Sequence, residues 1–310
     1  MVTCINGSLS SMVYYRKGWR ARRSILFMPA SNQRVLVKAR DLDCDGVIFD
    51  LEDSVSGKDQ AKARENLLAL VRDHDFGGKE IIIRVSAPDS DDYLTDIDVA
   101  IACSPDAILV PKVETAGVLH DLGKLLDGTG ANSANEIDIW AMIETPRGIV
   151  NLREIAGIGG RLNCLVVGPN DLARETGIVM DGSRAMMIPW LMDMVAHGRA
   201  NGLALLDGVF NAFRDGEGLI EECLQGVAMG FDGKTLIHPL QIDHANEIFS
   251  PGKEQVERAE RIVALFERPE NRHKNALQLD GEMVERLHFD SAKKLLEQVE
   301  MISGKNNDTP

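Results

Sequence analysis

Charged and histidine side chains in this sequence gather just after short apolar runs. The set is Asp50, Glu52, Asp53, Arg84, Lys112, Glu144, Asp171, Asp207 and His238. If one fold brings these residues to a common site, the carboxylates would repel one another unless a cation lay among them. Oxygen ligands without cysteine or clustered histidine suit a hard divalent ion. The set therefore predicts a Mg²⁺ site, with Mn²⁺ as the alternative metal.

Glu144 stands at the end of the most informative of these runs. Ile139 to Ile143 is apolar without alternation, which is typical of a strand buried on both faces, and Thr145-Pro146 is a good helix start. The acid is thus predicted to lie where a buried parallel strand opens into a loop, the position at which barrel and doubly wound folds carry their chemistry. An acid that only ends a strand is the alternative interpretation.

Eight such apolar runs alternate with segments of helical periodicity. The predicted strands are residues 24–29, 46–49, 81–85, 107–110, 139–143, 164–167, 203–206 and 234–237. No segment requires an antiparallel return, so the alternation predicts an α/β fold, a closed (β/α)8 TIM barrel. An open doubly wound sheet is the alternative, but no glycine-rich GxGxxG motif follows the first strand.

In such a barrel the carboxyl ends of all strands converge on one mouth. We predict Glu144 and Asp171 as direct metal ligands, because they close the adjacent fifth and sixth strands. Asp50, Glu52 and Asp53 are predicted to orient metal-bound waters. Helix capping and loop hydrogen bonds are the alternative roles for these three acids.

Basic residues near the mouth have two interpretations each. Arg84, near the end of the third strand, is predicted to bind a substrate carboxylate, with a structural ion pair to Asp50 or Glu52 as the alternative. Arg34 and Lys38 lie four residues apart on the first predicted helix and share a face. They are either solvated charges or a landing site for a phosphate-bearing ligand. His238 precedes a proline and is more typical of a loop cap than of catalysis.

Bulk composition excludes several classes of protein. The 310 residues carry a net charge of −14, whereas a general nucleic-acid binder needs a basic face. No apolar run approaches the roughly 18 residues of a membrane span, so no membrane partner is expected. The five cysteines show neither zinc nor disulfide spacing, which favours a reducing, cytoplasmic location. An organellar matrix is less favoured, although the first 40 residues contain no acid.

Three segments are predicted along the chain. They are an N-terminal extension over residues 1–22, the barrel with its site over residues 23–267, and a C-terminal segment over residues 268–310. The last begins with a polar linker, continues as a unit that we expect to act as a helical lid, and ends in a tail after Ser303.

Nine motifs, in order and with consistent spacing, resemble those of the citrate lyase β-subunit-like family. They are Arg23–Asn32, Ile48–Val55, Ile83–Val85, Val110–Glu114, Met142–Pro146, Gly168–Ala173, Leu206–Asn211, Ile237–Gln241 and Ile248–Pro251. This family lies within the HpcH/HpaI aldolase superfamily and includes malyl-CoA, β-methylmalyl-CoA and citramalyl-CoA lyases. The resemblance covers about residues 22–301.

The resemblance implies a TIM barrel, Mg²⁺ and a coenzyme A thioester. By position, it assigns the metal ligands to Glu144 and Asp171 and the carboxylate-binding arginine to Arg84. The implied contacts to coenzyme A fall on Phe27, Arg34 and Lys38. Pro169 and Asn170, in the motif that contains Asp171, are assigned to substrate binding.

Glu285 is the position at which the sequence departs from the family. In many members a C-terminal Asp-Gly-Lys-Met-Ile-Asp segment closes over the site of a neighbouring subunit and supplies a catalytic aspartate. Here the matching stretch is Asp280-Gly-Glu-Met-Val-Glu285. The resemblance implies a homotrimer or homohexamer with exchanged lids and places Glu285 in the role of that aspartate. Asp50 is a further candidate catalytic residue.

These assignments predict a Mg²⁺-dependent carbon–carbon lyase. We expect reversible cleavage of a 3-hydroxy dicarboxylic acyl-CoA such as malyl-CoA into acetyl-CoA or propionyl-CoA and a 2-oxo acid such as glyoxylate. Three alternatives stay open, namely a malyl-CoA thioesterase, a metal-dependent aldolase that acts on free 2-oxo acids, and a non-catalytic CoA-binding subunit.

Overall fold

A computed structural model describes residues 20–73, 75–128, 137–180 and 183–307; the side chains of residues 34, 35, 71–73 and 305–307 are outside this description. The chain divides into a barrel unit, Arg22–Phe249, and a C-terminal unit that begins at Ser250. The predicted extension falls almost wholly on residues 1–19, which lie outside the described residues.

Eight parallel strands close the barrel in chain order, with the first paired to the last. The strands are β1 (Ser24–Pro29), β2 (Gly46–Asp50), β3 (Glu80–Arg84), β4 (Ala107–Val110), β5 (Asp138–Ile143), β6 (Leu162–Val167), β7 (Ala204–Asp207) and β8 (Gly233–Leu236). The predicted TIM barrel is therefore confirmed, and each predicted strand overlaps an observed one.

Helices lie between the strands and follow the last one. They are α1 (Gln33–Lys38), α2 (Gln60–Asp73), α3 (Tyr93–Cys103), α4 (Ala116–Gly128), α5 (Pro146–Val150), α6 (Leu152–Gly157), α7 (Pro169–Thr176), α8 (Ile188–Ala200), α9 (Gly216–Met229) and α10 (Ile242–Ile248). Of the helices in the described parts of the chain, none is long and apolar enough to cross a membrane.

Side-chain alternation along the strands divides the apolar residues into two layers. Ile48, Ile82 and Met142 belong to a cluster inside the barrel. Phe49 and Ile83, the residues that follow the first two, belong to a larger cluster that includes buried residues of the surrounding helices. Because side chains alternate across a strand, the residue two places after an inner residue also points inward. This rule decides which strand-end residues reach the mouth.

The C-terminal unit has its own small core. It contains α11 (Lys253–Glu267), a hairpin of β9 (Ala276–Leu279) and β10 (Glu282–Glu285), and α12 (Arg286–Asn307). Its buried apolar side chains are Ala259, Ile262, Phe266, Val284 and Ala292. The predicted barrel segment, residues 23–267, includes α11, but the apolar face of α11 packs in this core, so the contacts group the helix with the hairpin and α12.

Two local features of this unit were not foreseen. The hairpin turn is formed by Asp280 and Gly281, both at positive φ (52° and 88°), which is what an Asp-Gly hairpin turn requires. The helix α12 continues to Asn307, so the tail predicted after Ser303 is helical at its start. Residues 308–310 lie outside the described residues.

Candidate active site

A pocket of about 360 Å³ opens at the carboxyl ends of the strands. Eight of the predicted site residues line it, namely Phe27, Asp50, Asp53, Arg84, Glu144, Pro169, Asn170 and Asp171. Volumes of this order are typical of small-molecule sites. The pocket therefore collects most of the chemistry that the sequence places at strand ends.

Arg84 and Asp50 reach the pocket because each follows an inner isoleucine by two residues, and the strand register sets them opposite each other. Arg84 Nε donates to Asp50 Oδ1 at 2.6 Å and Nη2 donates to Oδ2 at 2.7 Å. The guanidinium carbon lies 4.9 Å from the centre of the Phe27 ring. The arginine is thus held by a bidentate ion pair on one edge and an aromatic face on one side.

Asp50 is engaged on both carboxylate oxygens. Besides Arg84, they accept hydrogen bonds from the backbone N–H groups of Glu52 (3.0 Å) and Ser54 (3.1 Å). Burial opposes ionisation, but Arg84 and these hydrogen bonds outweigh it and hold the pKa of Asp50 below its ordinary value. An acid with a lowered pKa and filled acceptors is a poor proton acceptor and a good anchor for the guanidinium.

Glu52 lies between two cations. Its Oε1 forms an ion pair with Lys112 Nζ, and its Oε2 lies 3.0 Å from Arg84 Nη1. Among the described residues, no group donates an aligned hydrogen bond to the buried Oε2, so the contact with Arg84 is an ion pair only. Burial raises the pKa of Glu52 above its ordinary value despite these cations. Asp53 Oδ2 is 3.5 Å from the same Nη1, on a side chain that is 57% exposed.

Glu144 is almost fully buried, with 1% of its surface exposed. It follows the inner residue Met142 by two places, and its Oε1 accepts the backbone N–H of Lys112 at 2.8 Å. Its Oε2 lies against Gly168, where a Cβ atom would approach within 2.3 Å, so only glycine leaves room for the carboxylate. Burial, Glu52 and Asp171 raise the pKa of Glu144 to about 8, although Arg84 and the Lys112 N–H oppose the shift.

Asp171 comes from the first turn of α7 and not from the strand end itself. Gly168 precedes this helix and Pro169 occupies its first turn, so the chain turns directly from β6 into the helix and carries Asp171 to the pocket. The carboxylate forms an ion pair with Arg174 one turn later. Asn170 lies beside it and exchanges hydrogen bonds with Asn211.

The donor set around Glu144 and Asp171 fits a hard divalent cation. It consists of carboxylate oxygens only, and the buried Glu52 Oε2 lies close to the same group of charges without a hydrogen bond. Across the described ranges, no three Asp, Glu, His or Cys side chains form a closed ligand cage. Mg²⁺ is usually held by one or two carboxylates, with waters and substrate completing its octahedron, so two ligands suffice for it.

Three predicted residues with described side chains, Glu52, Lys38 and Glu285, do not line the pocket. Lys38 is exposed at the end of α1. Arg34 lies on the same helix, but its side chain is outside the described residues. Glu285 ends β10 in the C-terminal unit, where its backbone N–H donates to His288 Nδ1 at 2.9 Å. The roles assigned to these residues stay predictions.

Two strand-end residues of the charged set have structural roles. Asp207 points outward, where Arg184 Nη1 (2.6 Å) and Lys234 Nζ (3.1 Å) donate to it. His238 Nδ1 accepts the backbone N–H of Leu240 at 3.1 Å and its ring stacks on Phe213. The cap assigned to His238 is therefore observed, and Asp207 does not belong to the mouth.

Sequence reasoning gave no role to Lys112 or to the apolar wall of the pocket. Lys112 has a positive φ of 50°, which its lysine side chain does not signal. Met142, Val209 and Ile237 also line the pocket. Met142 could have been found, since it stands two places before Glu144 on the same strand face.

Together, the closed barrel and its acidic, arginine-containing mouth define an α/β-barrel with its site at the carboxyl end of the strands. Residues 23–239 match the family model described as HpcH/HpaI aldolase/citrate lyase, and the chain belongs to this family. The resemblance inferred from the motifs is thereby confirmed.

This chain is similar to relatives named as thioesterases and to relatives and solved structures named as citrate lyase subunit beta or CitE. The (3S)-malyl-CoA thioesterase of Cereibacter sphaeroides is 41% identical over 91% of this chain and 95% of its own. Citrate lyase subunit beta of Leuconostoc mesenteroides is 30% identical over 86% and 89%. The structure of CitE from Mycobacterium tuberculosis with magnesium, acetoacetate and coenzyme A has a TM-score of 0.71 at 26% identity, covering 89% of this chain and 97% of that one.

Proposed function

We propose that this protein is a Mg²⁺-dependent lyase that reversibly cleaves malyl-CoA, or a related 3-hydroxy dicarboxylic acyl-CoA, into acetyl-CoA or propionyl-CoA and a 2-oxo acid such as glyoxylate. The observation that carries the proposal is the shared pocket of Arg84, Glu144 and Asp171. It combines one fixed cationic group for a carboxylate with two carboxylates for a metal ion. The magnesium-bound CitE structures support the choice of metal.

Glu144 and Asp171 would hold the ion. When bound, Mg²⁺ would lower the pKa of the substrate hydroxyl and polarise the nascent carbonyl group. The Lys112 N–H keeps Glu144 Oε1 engaged, and the missing Cβ of Gly168 leaves room for Oε2. The chain therefore presents this carboxylate in one orientation before any ligand binds.

Arg84 would bind the free carboxylate of the substrate. Its Nε and one Nη2 hydrogen are occupied by Asp50, and Phe27 covers one face of the guanidinium. The second Nη2 hydrogen and Nη1, which donates to Met142 Sδ at 4.0 Å and lies 3.0 Å from Glu52 Oε2, are the groups left for a ligand. We therefore assign Asp50 the task of positioning Arg84 and do not make it the group that transfers a proton.

Cleavage needs one proton removed and one returned. The hydroxyl proton leaves, the bond between the hydroxyl-bearing carbon and the thioester α-carbon breaks, and the α-carbon of the resulting enolate takes up a proton, so no water is consumed. We propose that Glu285 donates this proton to the enolate and removes it again in the reverse reaction. Because it lies in the C-terminal unit, this role fits a lid that is exchanged within a homotrimer or homohexamer.

The pocket suits the small-acid end of such a substrate. At about 360 Å³ it accommodates a four- or five-carbon acid, while a coenzyme A chain would extend beyond it. We propose that the phosphates of coenzyme A contact Lys38 and Arg34 of α1. On a chain with a net charge of −14, local basic residues are needed to attract an anionic ligand.

A thioesterase is the second candidate, and the name of the Cereibacter relatives favours it. Both reactions use the same substrate, so the same pocket serves either. They differ in the bond that breaks. The lyase breaks a carbon–carbon bond, whereas hydrolysis breaks the thioester bond, consumes water and yields malate and free coenzyme A.

Product analysis by mass spectrometry separates these functions. The protein is incubated with malyl-, methylmalyl- and citramalyl-CoA, with Mg²⁺ or with EDTA, and Glu144→Gln serves as the matched control. We expect acetyl-CoA and glyoxylate from malyl-CoA, and no product with EDTA or with the variant. Malate and free coenzyme A would establish the thioesterase instead. Binding without turnover of any thioester would favour a non-catalytic subunit.

Two variants test the remaining assignments. Glu285→Gln should lose most turnover while it still binds the CoA thioester, and unchanged turnover would exclude Glu285. Lys38→Ala should raise the KM for the thioester by up to about fivefold, since one exposed charge contact is worth at most about 1 kcal/mol. Turnover of free 2-oxo acids that Lys38→Ala barely alters would favour the metal-dependent aldolase instead.

A further inference from the structure

Lys112 follows β4 with a backbone conformation that lysine rarely adopts. Its φ is 50°, in the left-handed region, which costs a residue with a Cβ atom roughly 1–2 kcal/mol. Glycine would take this conformation without that cost. Residues with such a strained backbone concentrate at functional sites, so the side chain and the amide group of Lys112 are candidates for a functional role.

The left-handed turn aims two donors of one residue at two acids. The Lys112 N–H donates to Glu144 Oε1 at 2.8 Å, and its ammonium pairs with Glu52 Oε1. The next residue, Val113, donates its N–H to the carbonyl oxygen of Met142 at 3.2 Å, so two consecutive amides tie the turn to β5 and to the Glu144 side chain that follows it. The backbone of Lys112 is therefore fixed relative to Glu144.

The ammonium acts on the other half of the pocket through Glu52. This acid is largely buried, with 9% of its side chain exposed, and its second oxygen lies 3.0 Å from Arg84 Nη1. The Lys112 pair leaves only that oxygen for Arg84. Without the ammonium, both oxygens of Glu52 would compete for the Nη1 hydrogens that a ligand carboxylate needs.

We propose that Lys112 is a positioning residue that couples the two halves of the site, with its amide orienting Glu144 and its ammonium keeping Glu52 from capturing Arg84. The inference rests on the proposed function, in which Glu144 binds the metal ion and Arg84 binds the carboxylate of the ligand. Lys112 does not line the pocket, and its two contacts are with Glu144 and Glu52.

The proposal predicts opposite effects on two ligands. In Lys112→Met the amide remains, and a positive charge near the carboxylates is lost, so Mg²⁺ should bind at least as tightly as in the wild type. Arg84 is drawn toward Glu52, so pyruvate should bind the Mg²⁺-loaded protein about tenfold more weakly. A purely structural role would weaken both ligands together or neither.

Isothermal titration calorimetry with Mg²⁺ alone, and then with pyruvate at saturating Mg²⁺, measures both affinities without turnover. Lys112→Arg should restore pyruvate binding, and Lys124→Met is the matched control, because Lys124 makes an exposed pair with Asp121. In a Glu52→Gln background, Lys112→Met should change pyruvate affinity less than twofold. If Lys112→Met does not fold, Lys112→Gly replaces it, since glycine tolerates the positive φ.

Wild-type pyruvate affinity in the Lys112 variant, or equal weakening of Mg²⁺ and pyruvate, would overturn the proposal. So would an undiminished effect of Lys112→Met in the Glu52→Gln background. If the wild type binds both ligands but cleaves no thioester, the proposed function fails while the result for Lys112 stands. If the wild type binds neither, both fail.

Discussion

Two clusters of buried charge in the barrel unit differ in their balance. The mouth cluster consists of Asp50, Glu52, Glu144, Asp171, Arg84 and Lys112, and the outer cluster of Asp207, Glu222, Arg184 and Lys234. When all groups are ionised, four acids face two bases at the mouth, which leaves a formal charge of −2, whereas two acids face two bases in the outer cluster.

The outer cluster is closed on itself. Arg184 and Lys234 both donate to Asp207, and Lys234 Nζ also donates to Glu222 at 2.6 Å. Although burial opposes ionisation, these two cations hold the pKa of Asp207 below its ordinary value. At the mouth, by contrast, the pKa of Glu144 is raised to about 8. The difference indicates that the outer cluster, whose charges balance, stabilises the fold. The formal charge of −2 at the mouth is instead equal and opposite to the charge of a divalent cation.

The largest expected effect comes from removing a charge at the mouth. Glu144→Gln should lower kcat/KM about 1,000-fold or more, because a metal ion contributes several kcal/mol of transition-state stabilisation. Steady-state kinetics on malyl-CoA at saturating Mg²⁺ measure the loss. Turnover within tenfold of the wild type would place the metal elsewhere.

The matching change in the outer cluster should act on stability instead. Asp207→Asn leaves buried Arg184 and Lys234 short of a partner, so the free energy of unfolding should fall by about 3–5 kcal/mol at pH 7. Since the folded-state pKa of Asp207 is lowered, its contribution is present above the ordinary carboxyl pKa and is lost as the pH falls through the folded value. Urea denaturation at pH 7 and pH 3 checks both points, and an equal loss at the two pH values would contradict them.

Without metal, the mouth cluster should oppose folding as the pH rises. The folded-state pKa of Glu144 is about 8 against an ordinary 4.5, so its stabilising contribution is complete below about pH 4.5 and is lost as the pH passes 8. Denaturation in EDTA should show this loss, by no more than about 5 kcal/mol, and Glu144→Gln should abolish it. Mg²⁺ should restore stability at pH 8. A pH-independent difference between wild type and variant would exclude this account.

The smallest effects should come from exchanging one arginine in each cluster for lysine. Arg84→Lys loses the bidentate geometry toward Asp50 and the ligand, so kcat/KM should fall about 30-fold, since a charge-assisted hydrogen bond is worth about 2 kcal/mol. Arg184→Lys should cost about 1–2 kcal/mol of stability and leave kinetics unchanged. If the two variants exchanged these phenotypes, the assignment of the clusters would be reversed.

Much of the barrel could be read from the sequence, because eight apolar runs alternate with helical segments. The acids at the mouth were also found, since Asp50 and Glu144 directly follow such runs. Asp207 shows the limit of that reasoning. Strands buried on both faces are apolar throughout, so their sequence does not say which residues point inward. Asp207 follows the outer residue Leu205 by two places and therefore points outward.

Other features depend on neighbours that lie far away in sequence. The pairing of Asp50 with Arg84 follows from the register of β2 against β3, and the room for Glu144 depends on Gly168 of the next strand's loop. The left-handed turn at Lys112 has no sequence signal, because lysine rarely adopts it. The β9–β10 hairpin was not predicted, although an Asp-Gly pair between two short apolar-containing segments is a strong turn signal.

The binding of Mg²⁺ measured by calorimetry tests the contrast between the clusters most directly. At pH 8 the wild type and Asp207→Asn should each bind one ion per chain, whereas Glu144→Gln should bind none at the same concentrations. Retention of binding in Glu144→Gln, or its loss in Asp207→Asn alone, would contradict the proposal that the mouth cluster binds a divalent cation.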